Sequence, residues 1–291
     1  MTALALMTGS RHLAAAWATL AFLSTGGVLA PALGAQSAAV PNFAPDSDTG
    51  WVPARTQGDD FISPEGEVGP VTAPKDHPYV PNNPRSQPTY RIADLTNPIL
   101  MPWAIERMKK ANDEVLAGKI PFTADSTCWP GGVPGFDVYA HVRPIYFLQT
   151  KNEVTILEES DMQVRHIYLN VPHSQNSKLS WYGESVGHYE GDELVVDTIG
   201  MNDKTFVDNY RTPHTTALHV VERFKLIEGG NIVQVHVAVD DPGAFNMPWT
   251  AMQQWRRREG AAMIELICAE NHNDYFSNLP TPIPQADRPD F

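Results

Sequence analysis

From Ile145 onward the chain alternates apolar and polar residues with a period of two. Successive side chains of a strand point to opposite faces, so this pattern builds half-buried β-strands and no helix. Nine stretches carry it: Ile145 to Thr150, Glu153 to Glu159, Val164 to Leu169, Glu184 to Glu190, Glu193 to Ile199, Ala217 to Ile227, Ile232 to Asp240, Trp249 to Arg257 and Met263 to Glu270. Several of the links between them are short. Lys151-Asn152, Gly191-Asp192 and the Glu228-Gly229-Gly230-Asn231 run have hairpin chemistry. A meander of this many antiparallel strands curls and closes on itself.

The expected fold is therefore mainly β: an antiparallel up-and-down barrel resembling the lipocalins, with a β-sandwich as the alternative. One helix precedes it. Pro98 and Pro102 open the stretch, Gly118 follows its end, and Trp103, Ile105, Met108, Ala111, Val115 and Leu116 recur mostly at helical spacing. Upstream the composition changes. Ten prolines fall between Pro41 and Pro88, and Pro is excluded from helix interiors and central strands. Residues 36–95 read as an extended or disordered arm, with Trp51, Phe61 and Tyr79 as possible anchors. The single barrel-like domain spans 96–278, and a Pro-rich tail covers 279–291.

The first 35 residues contain no Asp or Glu. Arg11 and His12 precede an apolar run from Leu13 to Ala30, and small residues follow at Ala32, Gly34 and Ala35. This is the layout of a signal peptide, with cleavage expected near Ala35 and a periplasmic or secreted destination. Gly26-Gly27 weakens the same run as a membrane span, so no membrane association is expected after cleavage. Outside the cytoplasm, the two cysteines, Cys128 and Cys268, are expected to form a disulfide. The formal charge of −13, from 21 basic and 34 acidic residues, argues against nucleic acid, which needs a basic footprint.

Candidate chemistry gathers in the later strands. Along Ala217–Ile227 one face carries Leu218, Val220, Phe224 and Leu226, with Glu222 alone among them. A carboxylate in such company must pair or take a raised pKa, which suits a general acid or base. The competing reading is a structural ion pair, for instance with an Arg on a neighbouring strand. His214 and His219 lie close by in sequence, with Asp197 and Asn202 before them. Neither histidine belongs to a zinc signature, so no metal is expected. The run from Trp181 to Asp192 has Gly183, Gly187 and Gly191 at intervals of four. Glycines in strands mark bends or close backbone approach. No helix opens after this strand-like run, as a nucleophile elbow requires, so a serine hydrolase is not supported. Trp181, Tyr182, His188, Tyr189 and Trp249 are candidate ligand contacts.

The run W-Y-G-E-S-V-G-H-Y-E-G-D-E-L-V-V-D from Trp181 to Asp197, continuing as T-I-G-M-N to Asn202, is then followed by Pro213-His214 and L-H-V-V-E-R from Leu218 to Arg223. With Asp240-Asp241-Pro242, Pro248-Trp249-Thr250 and Cys268-Ala269-Glu270-Asn271, it resembles a large family of exported, mostly uncharacterised bacterial proteins. Their motif has the form W-x-G-x-S-x-G-x-x-E-G-D-x-L-V-V-D-T-x-G-x-N, then P-H and L-H-V-x-E-R. The resemblance runs from about Pro98 to Asn271 and implies a β-rich barrel. Where many members carry His this chain has Glu184, and where many carry Trp it has Tyr189.

Barrels of this size enclose one ligand oriented by a few polar groups. The expected function is binding of a small, largely apolar molecule. If catalysis follows, it is cofactor-independent acid/base chemistry of isomerase, hydratase/lyase or cyclase type. Glu222 or Glu184 is the expected acid or base, His214 or His219 its partner, and Asn202 a hydrogen-bond donor. The alternatives are a non-catalytic periplasmic carrier and an envelope interaction protein.

Overall fold

A computed structural model describes residues 40–46, 48–54, 60–78, 91–119, 128–139, 144–159 and 164–265. The expected signal peptide, Tyr79, Cys268 and the Pro-rich tail lie outside the described residues. Nine strands form a closed barrel: β1 Gly50–Pro53, β2 Ile145–Gln149, β3 Glu153–Glu158, β4 Arg165–Leu169, β5 Glu184–Glu190, β6 Glu193–Ile199, β7 His219–Ile227, β8 Ile232–Asp240 and β9 Trp249–Arg258. Eight of them follow the alternating stretches of the sequence. The ninth corrects an expectation. No strand forms over residues 261–265, and 266–270 lie outside the described residues. The closing strand is β1, from the Pro-rich arm, which pairs antiparallel with both β9 and β2.

Trp51 explains why a short strand among prolines is held. It is fully buried, and its indole N–H donates to the Phe43 carbonyl at 2.8 Å. Phe43 in turn stacks on Phe147 with ring centroids 5.0 Å apart. Beyond Pro53 the arm continues along the edge of β9. Ile62 and Met252 exchange backbone hydrogen bonds of 2.8 Å, and Thr250 N–H donates to the Val68 carbonyl at 2.8 Å. Phe61 packs edge-on against Trp249.

The barrel is mixed rather than wholly antiparallel. β4 and β5 pair in parallel through Ile167↔Ser185, Tyr168↔Val186 and Leu169↔Gly187. Parallel neighbours need a crossover, and residues 170–183 supply it. Gly183 turns this crossover into β5 at φ +65°, and a Cβ there would lie 2.2 Å from the Ile199 carbonyl oxygen. Only glycine fits both demands. Short turns at 150–152, 191–192 and 228–231 define a hairpin end of the barrel. The opposite, loop end carries residues 200–218, 241–248 and the segment before β2.

Two helices serve the loop end. α1, Pro102–Leu116, has Pro at its start as expected. Its buried stripe is Ala104, Met108 and Asn112 rather than the larger apolar residues, since Trp103 and Leu116 are exposed. Trp103 reaches the Gly243 carbonyl at 2.8 Å through its indole N–H, and Asn112 satisfies both the N–H and the carbonyl of Ala93 at 2.9 Å. Docking on the 241–248 loop, not a continuous apolar face, fixes this helix. α2, Phe136–Tyr139, leads toward β2. The interior is filled by inward side chains, among them Phe147, Phe224, Trp249, Trp255 and the valines at 233, 235, 237 and 239. No helix among the described residues is long and apolar enough to cross a membrane.

Candidate functional site

Position parity on β7 separates the two residues expected to cooperate. Glu222 points inward with Val220 and Phe224, and its side chain is 0% exposed. His219 is at odd parity, points outward, and its side chain is 42% exposed. The expected pairing of Glu222 with His214 or His219 therefore does not occur. Glu222 instead meets Arg165 of β4, which is also buried. Arg165 Nη1 donates to Glu222 Oε1 at 2.8 Å and Nη2 donates to Oε2. The bidentate pair spans the barrel interior, because β5 and β6 separate β4 from β7 in the wall. Arg165 Nη2 also reaches Thr198 Oγ1 at 3.2 Å and Ser185 Oγ at 3.4 Å, and its guanidinium lies 5.1 Å from the Phe136 ring centroid.

Asp137 from α2 completes this cluster. Burial first, and then the Glu222 charge, hold its carboxyl well above the usual carboxylate range, against the pull of Arg165. A protonated Asp137 beside the Arg165–Glu222 pair leaves the cluster neutral, the form a desolvated interior favours. Glu222 is thus neutralised by the guanidinium, in the role of a structural ion pair.

His214 is also structural. It is 2% exposed, its Nδ1–H donates to the Thr215 carbonyl at 3.0 Å, and its Nε2 accepts from Thr205 Oγ1 at 2.9 Å. Burial pushes its pKa down, in keeping with a neutral ring that has both nitrogens engaged. Asn202 caps a turn, with Oδ1 accepting from the Lys204 N–H at 3.0 Å. His188 bonds Glu190 at 2.8 Å on an exposed part of β5, and the Tyr189 hydroxyl accepts from Gln149 Nε2 at 3.0 Å. These residues are outside the grouping described next.

On the outer face of β5, β6 and β7 four side chains do come together. His219 Nε2 lies 3.0 Å from Asp197 Oδ1. The same oxygen is 2.9 Å from Nε2 of His173, whose Nδ1 is 3.2 Å from Glu184 Oε1. The crossover carries His173 over the sheet to this row. Ser174 anchors the far end through its N–H to Glu184 Oε1 at 2.5 Å and its hydroxyl to Oε2. Those bonds, the hydroxyl's first, keep Glu184 below the usual carboxylate range. Imidazole donates to both carboxylates only when it carries both ring protons.

His219 also faces a groove of about 340 Å³. Its apolar lining includes Val68, Val221, Ala238, Val239, Pro248 and Trp249. Glu67, from the arm along β9, bounds it on the side away from β7. Glu67 Oε2 accepts from Thr250 Oγ1 at 2.5 Å, which lowers its pKa and keeps it ionised, and it lies 3.4 Å from His236 Nε2. With Nε2 on Asp197, His219 Nδ1 makes no hydrogen bond among the described residues. That is the arrangement of an oriented base. Among the described residues no group of three or more His, Cys, Asp or Glu is arranged to hold a metal ion.

Of the expected site residues, His219, Asp197, Glu184 and Trp249 belong to this row and groove, while Trp181 and Tyr182 line a separate cavity at the β4–β5 seam. Arg165, Asp137, His173 and Glu67 escaped the sequence reading. Arg165 alone had a usable signal, because it shares the parity of Ile167 and Leu169 on β4. No family model, curated protein or solved structure matches the chain.

Proposed function

We propose that this protein is exported, and that it binds a small, largely apolar molecule in the outer groove and moves a proton on it through His219. The observation that carries this reading is the His219–Asp197 contact of 3.0 Å at the edge of a 340 Å³ apolar groove. Asp197 fixes the ring and stabilises the imidazolium formed when Nδ1 takes a proton from the ligand. Glu67, ionised and across the groove, stabilises positive charge that develops near it. Isomerisation needs such a transfer and return of the proton at another atom of the ligand, elimination also expels a leaving group from it, and cyclisation also joins the deprotonated atom to another part of the ligand. A signal peptide cleaved near Ala35 and a Cys128–Cys268 disulfide belong to the same proposal, since both suit export.

Native mass spectrometry of protein purified from the periplasm tests it. The expected result is a co-purifying small molecule that is lost from Ala238→Trp, which adds bulk to the groove opposite Val221. His219→Asn is expected to retain the molecule but slow its conversion by about 10²–10⁴-fold. Retention of the ligand by Ala238→Trp overturns the site. Binding with no conversion by the parent protein overturns catalysis and leaves a carrier.

A further inference from the structure

The seam between β4 and β5 holds a cavity of about 360 Å³ that the acid/base reading does not use. It exists because the two parallel strands pair over only three positions, Ile167↔Ser185 to Leu169↔Gly187. Past that register the crossover returns across the opening between them. One wall is the outer face of β4, where His166 and Tyr168 stack with centroids 6.3 Å apart and rings inclined by 11°. The crossover contributes Trp181, Tyr182 and Lys178. Trp181 is braced by Trp129 at 5.1 Å, and Tyr182 stands edge-on to Phe136 at 6.1 Å. The aromatic wall is therefore held by packing behind it.

The charge around this cavity departs from that of the whole chain. Glu184 lines it, but both its carboxylate oxygens accept hydrogen bonds from Ser174, and His173 lies against one of them. His166 is matched by Glu153 at 2.5 Å. Lys178 has no hydrogen-bond or ion-pair partner among the described residues. Lys204 lies with Nζ 5.6 Å from the Trp181 ring centroid. An acidic protein thus presents a lysine at an aromatic-walled opening.

We propose that the seam cavity binds a small aromatic carboxylate, with its ring against Tyr168, Trp181 and Tyr182 and its carboxylate on Lys178. Aromatic walls supply apolar area and ring-to-ring contact. A lysine ammonium without a partner gains a charge-assisted hydrogen bond from an anion and nothing comparable from a neutral ring.

Isothermal titration of the intact mature protein with 4-hydroxybenzoate, and separately with its neutral methyl ester, tests the proposal. The acid is expected to saturate one site and the ester to bind about tenfold more weakly. Lys178→Gln, a surface change, is expected to reduce the acid's affinity about tenfold and leave the ester's unchanged. His219→Asn is expected to change neither, so failure here is separate from failure of the outer groove. Equal binding of acid and ester, no effect of Lys178→Gln, or no saturable binding of the acid overturns the assignment.

Discussion

Three residues apart on one strand, His219 and Glu222 meet opposite environments. The inward carboxylate has lost all contact with water and is held by a guanidinium from the far wall. The outward imidazole keeps Nε2 on Asp197 and lines the groove. The difference yields a test of the buried pair. Arg165→Met alone leaves Glu222 buried without its counterion and is expected to destabilise the fold by about 3–5 kcal/mol. Adding Glu222→Leu removes the orphaned charge and is expected to recover much of that loss. Denaturant unfolding of both variants checks this, and a double variant no more stable than the single contradicts it. Glu222 was legible as a buried carboxylate needing a partner, because parity alone places it among valines and phenylalanine. Its partner was not, because residues on strands β4 and β7 meet only after the sheet closes.

At the scale of elements, β1 shows how a segment too short and too Pro-flanked to read as a strand becomes one. Pro53 ends it, and only four residues pair with β9. Antiparallel hydrogen bonds to β9 and β2 together with burial of Trp51 hold it in place. Trp51→Ala is expected to cost about 3–5 kcal/mol, as for other buried tryptophans. It is also expected to release the arm, so proteolysis near residues 50–68 should accelerate more than cleavage in the β7–β8 hairpin. Equal acceleration at both places would mean that the arm is not held by this anchor. The eight strands from β2 to β9 were readable because each carries its own alternation. β1 has no such pattern, and the reading gave its place to 263–270, which is apolar enough to resemble a strand. The parallel β4–β5 pair was hidden for a related reason. A period of two states that a strand exists, but not which way its neighbour runs.

Across the whole molecule, buried titratable groups set opposing dependences of stability on pH. Burial raises Asp137 well above its ordinary value and Asp208 to about 6, although hydrogen bonds from Thr212 and Tyr210 pull Asp208 down. For both, the folded protein binds more protons than the unfolded chain, so stability falls as pH rises from about 4 through the folded values. His214 acts in the other direction. Its folded value is lowered by burial, so stability falls as pH drops below about 6.5. Asp137→Asn removes one of the acidic contributions. It is expected to be more stable than the parent at pH 8, with the difference shrinking toward pH 4, as read from guanidinium unfolding at each pH. A constant difference across that range would place the effect in packing rather than in the proton.

The sequence by itself determined that the chain is mainly β, that its strands alternate inward and outward, and which face of each strand is apolar. Those properties are local, set by side-chain direction and turn chemistry within a few residues. Tertiary structure alone decided how the barrel closes, that Arg165 neutralises Glu222 with Asp137 buried beside the pair, and that His173 and Glu67 arrive beside His219. Each of these joins residues from distant segments, and the contact has no counterpart in the spacing along the chain.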